Sequence, residues 1–295
     1  MQKNILIENA LKMAGELNCQ KIFVFTNRAG DLLKTYPIHD CIWERMVLVI
    51  PRYKQNPGDI PAEAGIDVID GWAGNQSRFS RIKYAFLQGV LKGIISTESK
   101  IICVLGPWGK DHLDTITIHD LGSSWSDEFP FDPRKLSSNI GFTVIMAVID
   151  VALDIGALGR EGKSVGTTFV VGDSEDVLAN SHQAVYNPFR GYPPEERTIN
   201  NAEVVESLKE LAKLDGAFVI SADGIVEAAG RHIDARSTIS EQMKGLGSRH
   251  RAAAGITAMT RSVSVVVSES TGRVTLFENG KIVVTLEPVI SRRLE

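Results

Sequence analysis

Residues 21–50 read KIFVFTNRAGDLLKTYPIHDCIWERMVLVI, with an unbroken apolar run of strand length at each end. Two more such runs follow, and helical patterns alternate with them. The strand candidates are Lys21–Phe25, Met46–Ile50, Gly65–Ile69 and Lys100–Leu105, and the helix candidates are Glu8–Leu17 and Ser77–Leu91. Unbroken apolar strands between helices indicate a parallel sheet covered on both faces. We therefore expect residues 1–122 to form a parallel-sheet α/β domain.

The second half of the chain has more strand patterns than helix patterns. A polar stretch with two prolines, 123–136, breaks the rhythm of the first half and is predicted to be a linker. After it come a helix at about Ser137–Ile155 and several strands. Two of the connections, Asp223-Gly224 and Asn279-Gly280, are dipeptides that favour tight hairpin turns. We expect a mixed-sheet α+β domain over residues 137–295.

Composition argues against two classes of partner. Of the 295 residues, 43% are hydrophobic and 23% are charged, and 32 Lys and Arg against 36 Asp and Glu give a formal net charge of -4. This balance is typical of an ordinary globular protein and unlike a basic nucleic-acid-binding domain. The most apolar helix candidate, Phe142–Leu158, contains Asp150 and Asp154, which argues against a transmembrane span. We expect neither nucleic acid nor a membrane as a partner.

The cysteine content predicts a reducing environment. Cys19, Cys41 and Cys103 are few, odd in number and widely spaced, which indicates neither a disulfide framework nor a metal site. The first residues lack the apolar region and the small-residue cleavage site of a signal peptide. We therefore expect a cytoplasmic protein.

A basic run at Gly247–Ala254, GSRHRAAA, predicts an anion site. A glycine, a hydroxyl residue and an alanine-rich run are typical of a helix start with Ser248 at the N-cap. Unpaired backbone N–H groups at such a start favour an anion, and Arg249, His250 and Arg251 add donors at the same point. These features suit a polyphosphate. The alternative is a solvated basic first turn, which the helix dipole disfavours.

Two acidic residues are candidates for binding a metal. Asp215 and Gly216 stand at the mouth of an apolar strand, where a carboxylate can hold a divalent cation and a glycine admits a ligand close to the backbone. Glu269 follows another strand and could supply a second carboxylate. Taken alone, Asp-Gly is more often a plain turn and Glu269 part of an exposed loop.

Five stretches, in this order, resemble the diadenylate cyclase domain, which condenses two ATP into cyclic di-AMP. They are GREGKSVGTTFVVGD at Gly159–Asp173, NPFRGY at Asn187–Tyr192, LDGAFVI at Leu214–Ile220, GSRHRAAAGIT at Gly247–Thr257 and VVSESTG at Val266–Gly272. An α/β domain placed before the cyclase resembles the archaeal branch of that family, in which the front domain is similar to the C-terminal domain of pyruvate kinase.

The resemblance implies a role for each matching residue. It implies that Asp215 binds the metal and helps to activate the ribose 3′-hydroxyl, that Gly216 lies beside the nucleotide and that Ile233 contacts adenine through its backbone. It assigns the triphosphate to a run of five residues: Ser248, Arg249, His250, Arg251 and Ala252.

The sequence departs from the family pattern at three positions. Ser248 stands where threonine is usual, which keeps the hydroxyl. Ser270 stands where many members have a second glutamate after Glu269, and Leu214 stands where some have a metal-binding histidine. Glu269 is therefore the weaker of the two metal assignments.

The implied chemistry is attack of a 3′-oxygen on an α-phosphate with loss of pyrophosphate, aided by Mn²⁺ or Mg²⁺. Since each domain would hold one ATP, the symmetric product implies two facing domains in a homodimer or a higher homo-oligomer. The alternative is a catalytically silent nucleotide sensor, against which the intact Asp215 argues.

Overall fold

The computed structural model describes nine parts of the chain: residues 2–36, 41–51, 60, 65–71, 77–107, 112–123, 140–160, 163–234 and 247–287. The chain divides into two compact units, Met1–Phe129 and Pro130–Glu295. Apart from Ser123, the predicted linker 123–136 lies outside the described residues. The predicted boundaries of the two domains, 1–122 and 137–295, stay predictions.

The first unit is a five-stranded sheet with helices packed on it. Its helices are α1 (Gln2–Glu16), α2 (Ala29–Thr35) and α3 (Arg78–Leu91), and its strands are β1 (Lys21–Phe25), β2 (Met46–Pro51), β3 (Asp67–Gly71), β4 (Lys100–Leu105) and β5 (Thr115–Asp120). The strand order is β3-β2-β1-β4-β5. Ile22 and Val24 of β1 pack in a core with Ala10 of α1, whereas Phe23, which points to the opposite face, meets Phe86 of α3 edge-on at 5.6 Å.

The first sheet is mixed, and this corrects the expectation of a parallel sheet. Strands β1 to β4 are parallel, but β5 runs antiparallel to β4. The residues of β5 are half-buried or exposed, and Ile118 is 47% exposed. An antiparallel edge strand needs no helical crossover and only one covered face, so it lacks the continuous apolar run by which the buried strands were predicted.

The second unit is a seven-stranded mixed sheet. Its helices are α4 (Phe142–Leu158), α5 (Ser174–Ala179), α6 (Ala202–Leu211) and α7 (Ser248–Met259), and its strands are β6 (Thr167–Val171), β7 (Ser181–Gln183), β8 (Ala217–Ile220), β9 (Val226–Ile233), β10 (Val263–Val267), β11 (Val274–Glu278) and β12 (Lys281–Leu286). The order is β12-β11-β10-β6-β8-β9-β7, and β6 and β8 are its parallel neighbours. The mixed sheet is as predicted.

Two helices cover the centre of this sheet. Both α4 and α7 pack on β10 and β11, and every residue of β6, β10 and β11 is buried. Because successive side chains of a strand point to opposite faces, both faces of the sheet are covered at its centre. Among the described residues, no helix combines the length and the apolar character that crossing a membrane requires.

Both predicted hairpin turns are confirmed. Gly224 adopts a φ of 85° between β8 and β9, and its N–H donates to the carbonyl of Ser221 at 3.0 Å. Asn279 and Gly280 adopt φ angles of 50° and 74° between β11 and β12. Positive φ at both central residues matches the right-handed twist of the flanking strands, which is why Asn-Gly is favoured there.

Candidate functional site

One end of the second sheet carries a cavity of about 410 Å³. The parallel strands β6 and β8 begin at this end, β9 finishes there, and α7 starts beside them. The lining residues are Thr168, Asp215, Gly216, Ala217, Arg231, His232, Ile233, Ser248, Arg249, Arg251 and Ala252. The volume is in the range of small-molecule sites.

Most of the predicted site residues meet in this cavity. They come from three elements: the loop before β8, the last residue of β9 and the first turn of α7. The members are Asp215, Gly216, Ile233, Ser248, Arg249, Arg251 and Ala252. Two predicted residues, His250 and Glu269, are not among the lining side chains.

Helix α7 begins at Ser248, one residue earlier than a cap at Ser248 would allow. Gly247 is the N-cap, with an extended backbone (φ -67°, ψ 175°), and Ser248 is the first helical residue. The assignment of Ser248 as the cap was therefore wrong, because glycine is itself an acceptable N-cap. The start of α7 still offers an anion its first-turn N–H groups, because these have no acceptor within the helix and lie at the cavity wall.

Arg249 lies between the two candidate metal carboxylates. Its Nη1 donates to Glu269 Oε2 at 3.0 Å, and its Nη2 is 3.9 Å from Asp215 Oδ1. The Asp215 side chain is 93% exposed and that of Glu269 60%, so each pair contributes little to stability. The arrangement nevertheless brings Glu269 to the edge of the same site as Asp215.

The donor set fits a hard divalent cation that is also bound by a ligand. Within the described part of the chain, no group of three or more His, Cys, Asp and Glu residues could hold a metal ion. Carboxylates such as these two, which flank the start of α7, are, however, the donors that Mg²⁺ uses together with substrate phosphates. Asp215 and Glu269 would hold such an ion, with phosphate oxygens and water completing its coordination.

The His250 side chain does not face the cavity. It is 8% exposed and meets the Phe277 ring edge-on at 6.0 Å. Burial, and then the positive charge of Arg249, lower the pKa of His250 below its usual value. Burial against the sheet thus favours the neutral imidazole, and a direct role of His250 in binding phosphate stays a prediction.

Gly216 has a structural reason to be glycine. Its φ is 110°, and a Cβ there would lie 2.7 Å from the carbonyl carbon of Gly230 on β9. The Gly216 N–H donates a hydrogen bond to Asp215 Oδ1 at 3.1 Å. The close approach of β8 and β9 therefore fixes the backbone that presents Asp215.

Four lining residues were not predicted from the sequence: Thr168, Ala217, Arg231 and His232. The Arg231 guanidinium is anchored by bonds to the carbonyl of Leu178 at 2.6 Å and to Ser181 Oγ at 3.0 Å. Burial lowers the pKa of Arg231 from its ordinary value, with Asp234 opposing that shift. The only sequence signal was proximity, since Arg231 and His232 directly precede the predicted Ile233.

The cavity combines a cationic helix start with an acidic residue at the mouth of a strand. The family model described as DisA bacterial checkpoint controller nucleotide-binding, DAC, matches residues 154–282, which include the whole cavity lining. Together with a curated archaeal relative that is 32% identical and matched over 75% of its length, this match shows that the chain belongs to the diadenylate cyclase family. The resemblance inferred from the motifs is thereby confirmed.

Two archaeal relatives support the assignment. A diadenylate cyclase from Methanocaldococcus jannaschii is 37% identical over 192 residues, which cover 65% of this chain and 57% of that protein. A diadenylate cyclase from Haloferax volcanii is 32% identical over 211 residues, which cover 70% of this chain and 75% of that protein. Among solved structures, DacA from Staphylococcus aureus aligns with a TM-score of 0.32 and 23% identity over 48% of this chain and 84% of that one, a score too low to support an argument.

Proposed function

We propose that this chain is a diadenylate cyclase, which condenses two ATP into 3′,5′-linked cyclic di-AMP and releases two pyrophosphates. The observation that carries the proposal is the meeting of Asp215, before β8, with Arg249 and Arg251, at the start of α7, in one cavity of about 410 Å³. Residues far apart in sequence thus supply a phosphate site and a catalytic carboxylate together. Relatives named diadenylate cyclases support the same activity.

Each residue has a defined part in the proposed reaction. The first-turn N–H groups of α7, with Ser248, Arg249 and Arg251, bind the triphosphate and neutralise the charge that develops on it. Ile233 lies where it can contact the adenine through its backbone. Asp215 orients the 3′-hydroxyl and helps it to lose its proton as the 3′-oxygen bonds to an α-phosphorus and the bond to pyrophosphate breaks.

We infer a divalent cation, Mn²⁺ or Mg²⁺, held by Asp215 and Glu269 together with phosphate oxygens. When bound, it would supply charge neutralisation on the phosphates. A silent nucleotide sensor would have less need of an exposed carboxylate, and the Asp215 side chain is 93% exposed at the cavity. The cyclase is therefore favoured over the sensor.

The product chemistry requires two sites to face each other. One domain binds one ATP, and the 3′-hydroxyl of that ATP must reach the α-phosphate of the other. We propose a homodimer, or a higher homo-oligomer, with facing cavities. The proposal for residues 1–122 is a separate α/β domain similar to the C-terminal domain of pyruvate kinase, and a cytoplasmic location stays a prediction from the cysteine content.

Incubation of the purified full chain with ATP and either Mn²⁺ or Mg²⁺, followed by chromatography and a pyrophosphate assay, tests the function. We expect cyclic di-AMP and pyrophosphate in a ratio of one to two. Formation of ADP and phosphate, or no consumption of ATP with either metal, would show that the chain is not a cyclase.

A further inference from the structure

The loop between β10 and β11, residues 268–273, is closed by its own hydrogen bonds. The Ser268 N–H donates to the carbonyl of Arg273 at 2.8 Å, and the Gly272 N–H donates to the carbonyl of Ser268 at 2.8 Å. Glu269 is the second residue of this loop. Its backbone is therefore carried on a compact turn at the end of β10.

The loop packs closely against α4 at two glycines, where neither residue has a side chain to keep the backbones apart. A Cβ at Gly272 would lie 2.3 Å from the carbonyl oxygen of Gly156, and a Cβ at Gly156 would lie 2.2 Å from the carbonyl oxygen of Gly272. The backbones of Gly156 and Gly272 are thus too close to admit a side chain on either residue. The loop consequently cannot shift towards α4 if a bulkier residue is introduced on its other side.

Gly166, the residue before β6, borders the loop and the Arg249–Glu269 pair. A Cβ at Gly166 would lie 2.8 Å from Glu269 Cβ, 2.9 Å from the Glu269 amide nitrogen and 3.0 Å from Arg249 Nη1. Gly166 is not among the glycines with positive φ, so it is space and not backbone conformation that requires glycine here. Because the loop is packed against α4, a side chain at 166 would displace Glu269 and Arg249.

We propose that Gly166 is a positioning residue of the active site. Because Gly166 has no side chain, the Arg249 guanidinium can lie against Glu269. This contact sets the distance between the phosphate-binding start of α7 and the carboxylate that would bind the metal. This inference rests on the proposed cyclase function. It assigns the requirement for glycine at 166 to the geometry of the site and not to the stability of the fold.

The test compares Gly166→Ala with Gly224→Ala in the full chain. Gly224 is a matched control because its φ of 85° and a Cβ only 2.9 Å from Ile199 Cγ2 strain the fold at the opposite end of β8 from the cavity. Three quantities are measured for each protein: the melting temperature, the affinity for Mn²⁺ with a non-hydrolysable ATP analogue by electron paramagnetic resonance, and kcat and KM for ATP.

Gly166→Ala is expected to fold, to bind Mn²⁺ less tightly and to lose at least about tenfold in kcat/KM, since a displacement of about 1 Å in a catalytic constellation can cost on the order of a hundredfold. Gly224→Ala is expected to melt earlier and to keep the Mn²⁺ affinity of the parent.

Three outcomes would overturn the inference. The first is an Mn²⁺ affinity of Gly166→Ala within about twofold of the parent's, because a displaced carboxylate and guanidinium must alter it by more than that. The second is an equal loss of Mn²⁺ affinity in Gly224→Ala. The third is a Gly166→Ala chain that does not fold while Gly224→Ala does, which would assign the glycine to the fold. If the parent makes no cyclic di-AMP, the proposed function fails, and Mn²⁺ binding with the analogue still decides the role of Gly166.

Discussion

Arg249 and Arg251 flank the buried His250, and both arginines line the cavity. Replacing either by alanine removes a charge-assisted contact to phosphate, worth about 1.5–3 kcal/mol. We expect ATP binding, measured by calorimetry, to weaken by about ten- to a hundredfold in each variant. Arg261→Ala is the matched control, because the Arg261 guanidinium lies near Asp173, 3.6 Å away, and does not line the cavity. Parental affinity in both cavity variants would reduce these arginines to surface residues.

Asp215 is expected to act in the chemical step more than in holding ATP. Asp215→Asn keeps the size of the side chain but removes the charge that binds metal and helps to deprotonate the 3′-hydroxyl. Because general-base assistance alone is worth about 10²–10⁴-fold, cyclic di-AMP formation should fall at least about a hundredfold. ATP affinity should stay within about tenfold of the parent, as expected for a contact that matters mainly in the transition state.

Asp223→Asn is the control for this prediction, since Asp223 is in the hairpin turn at the other end of β8. It makes the same change of charge away from the cavity and should leave turnover near the parental rate. Near-parental turnover in Asp215→Asn itself would show that Asp215 is only a turn residue, as in most Asp-Gly pairs.

His250 should make the second unit less stable in acid. Its pKa is lowered by burial and by Arg249, so the unfolded chain binds a proton before the folded one does. As the pH falls below about 6.5, the usual histidine pKa, protonation of the unfolded state therefore costs stability. We expect the urea midpoint to fall between about pH 7.5 and about pH 5.5, and to fall less in His250→Gln. His232→Gln, a change at an exposed histidine, is the control, and an equal fall in parent and His250→Gln would contradict the prediction.

The same residue shows where sequence reasoning reaches its limit at the site. The contiguous run from Ser248 to Ala252 was assigned to phosphate as a whole, yet a helix turns about 100° per residue. Consequently Ser248, Arg249, Arg251 and Ala252 line the cavity, whereas His250 points into the core. Arg231 was missed because it reaches the cavity through the pairing of β9 with β7 and β8, and its only sequence signal was its closeness to the predicted Ile233.

At the scale of elements, the close approach of β8 and β9 depends on one glycine, Gly216. Gly216→Ala places a Cβ 2.7 Å from the Gly230 carbonyl carbon on a backbone with a φ of 110°. Strain at such a φ and crowding each cost about 1–3 kcal/mol, so the free energy of unfolding of the second unit should fall by about 2–6 kcal/mol. Gly247→Ala is the control: no heavy atom lies within 4 Å of its Cβ, and it should cost about 1 kcal/mol or less. A similar loss in both, by urea denaturation, would contradict the packing argument.

The buried strands of both sheets could be predicted from the sequence, whereas one edge strand of each sheet, β5 and β7, could not. Runs such as KIFVF and VSVVV are apolar at four of their five positions because both faces of β1 and β10 are covered. Strand β7 has three residues and was missed, as was α5 with six, since neither is long enough to show a period. Whether a sheet is parallel or mixed depends on the direction in which its edge strand runs, and tertiary contacts decide that direction.

At the scale of the whole molecule, the reaction needs two domains, because one cavity binds one ATP while the product contains two nucleotides. The specific activity should therefore rise with enzyme concentration until the dimer is saturated. A sharper test mixes the parent with an excess of Asp215→Asn. In a mixed dimer, the parental subunit can still direct its own 3′-oxygen to the partner's α-phosphate, which expels one pyrophosphate and leaves a linear dinucleotide with one triphosphate intact.

The second bond of the mixed dimer depends on the Asp215→Asn subunit and should form at least about a hundredfold more slowly. We expect chromatography to show the linear dinucleotide accumulating in the mixture, with less in the parent or the variant alone, and cyclic di-AMP falling by more than dilution explains. Mixing the parent with Asp223→Asn is the control and should give cyclic product only. If the specific activity stays constant down to concentrations at which the protein is monomeric by light scattering, and the mixture yields no linear product, each chain acts alone and the facing arrangement is wrong.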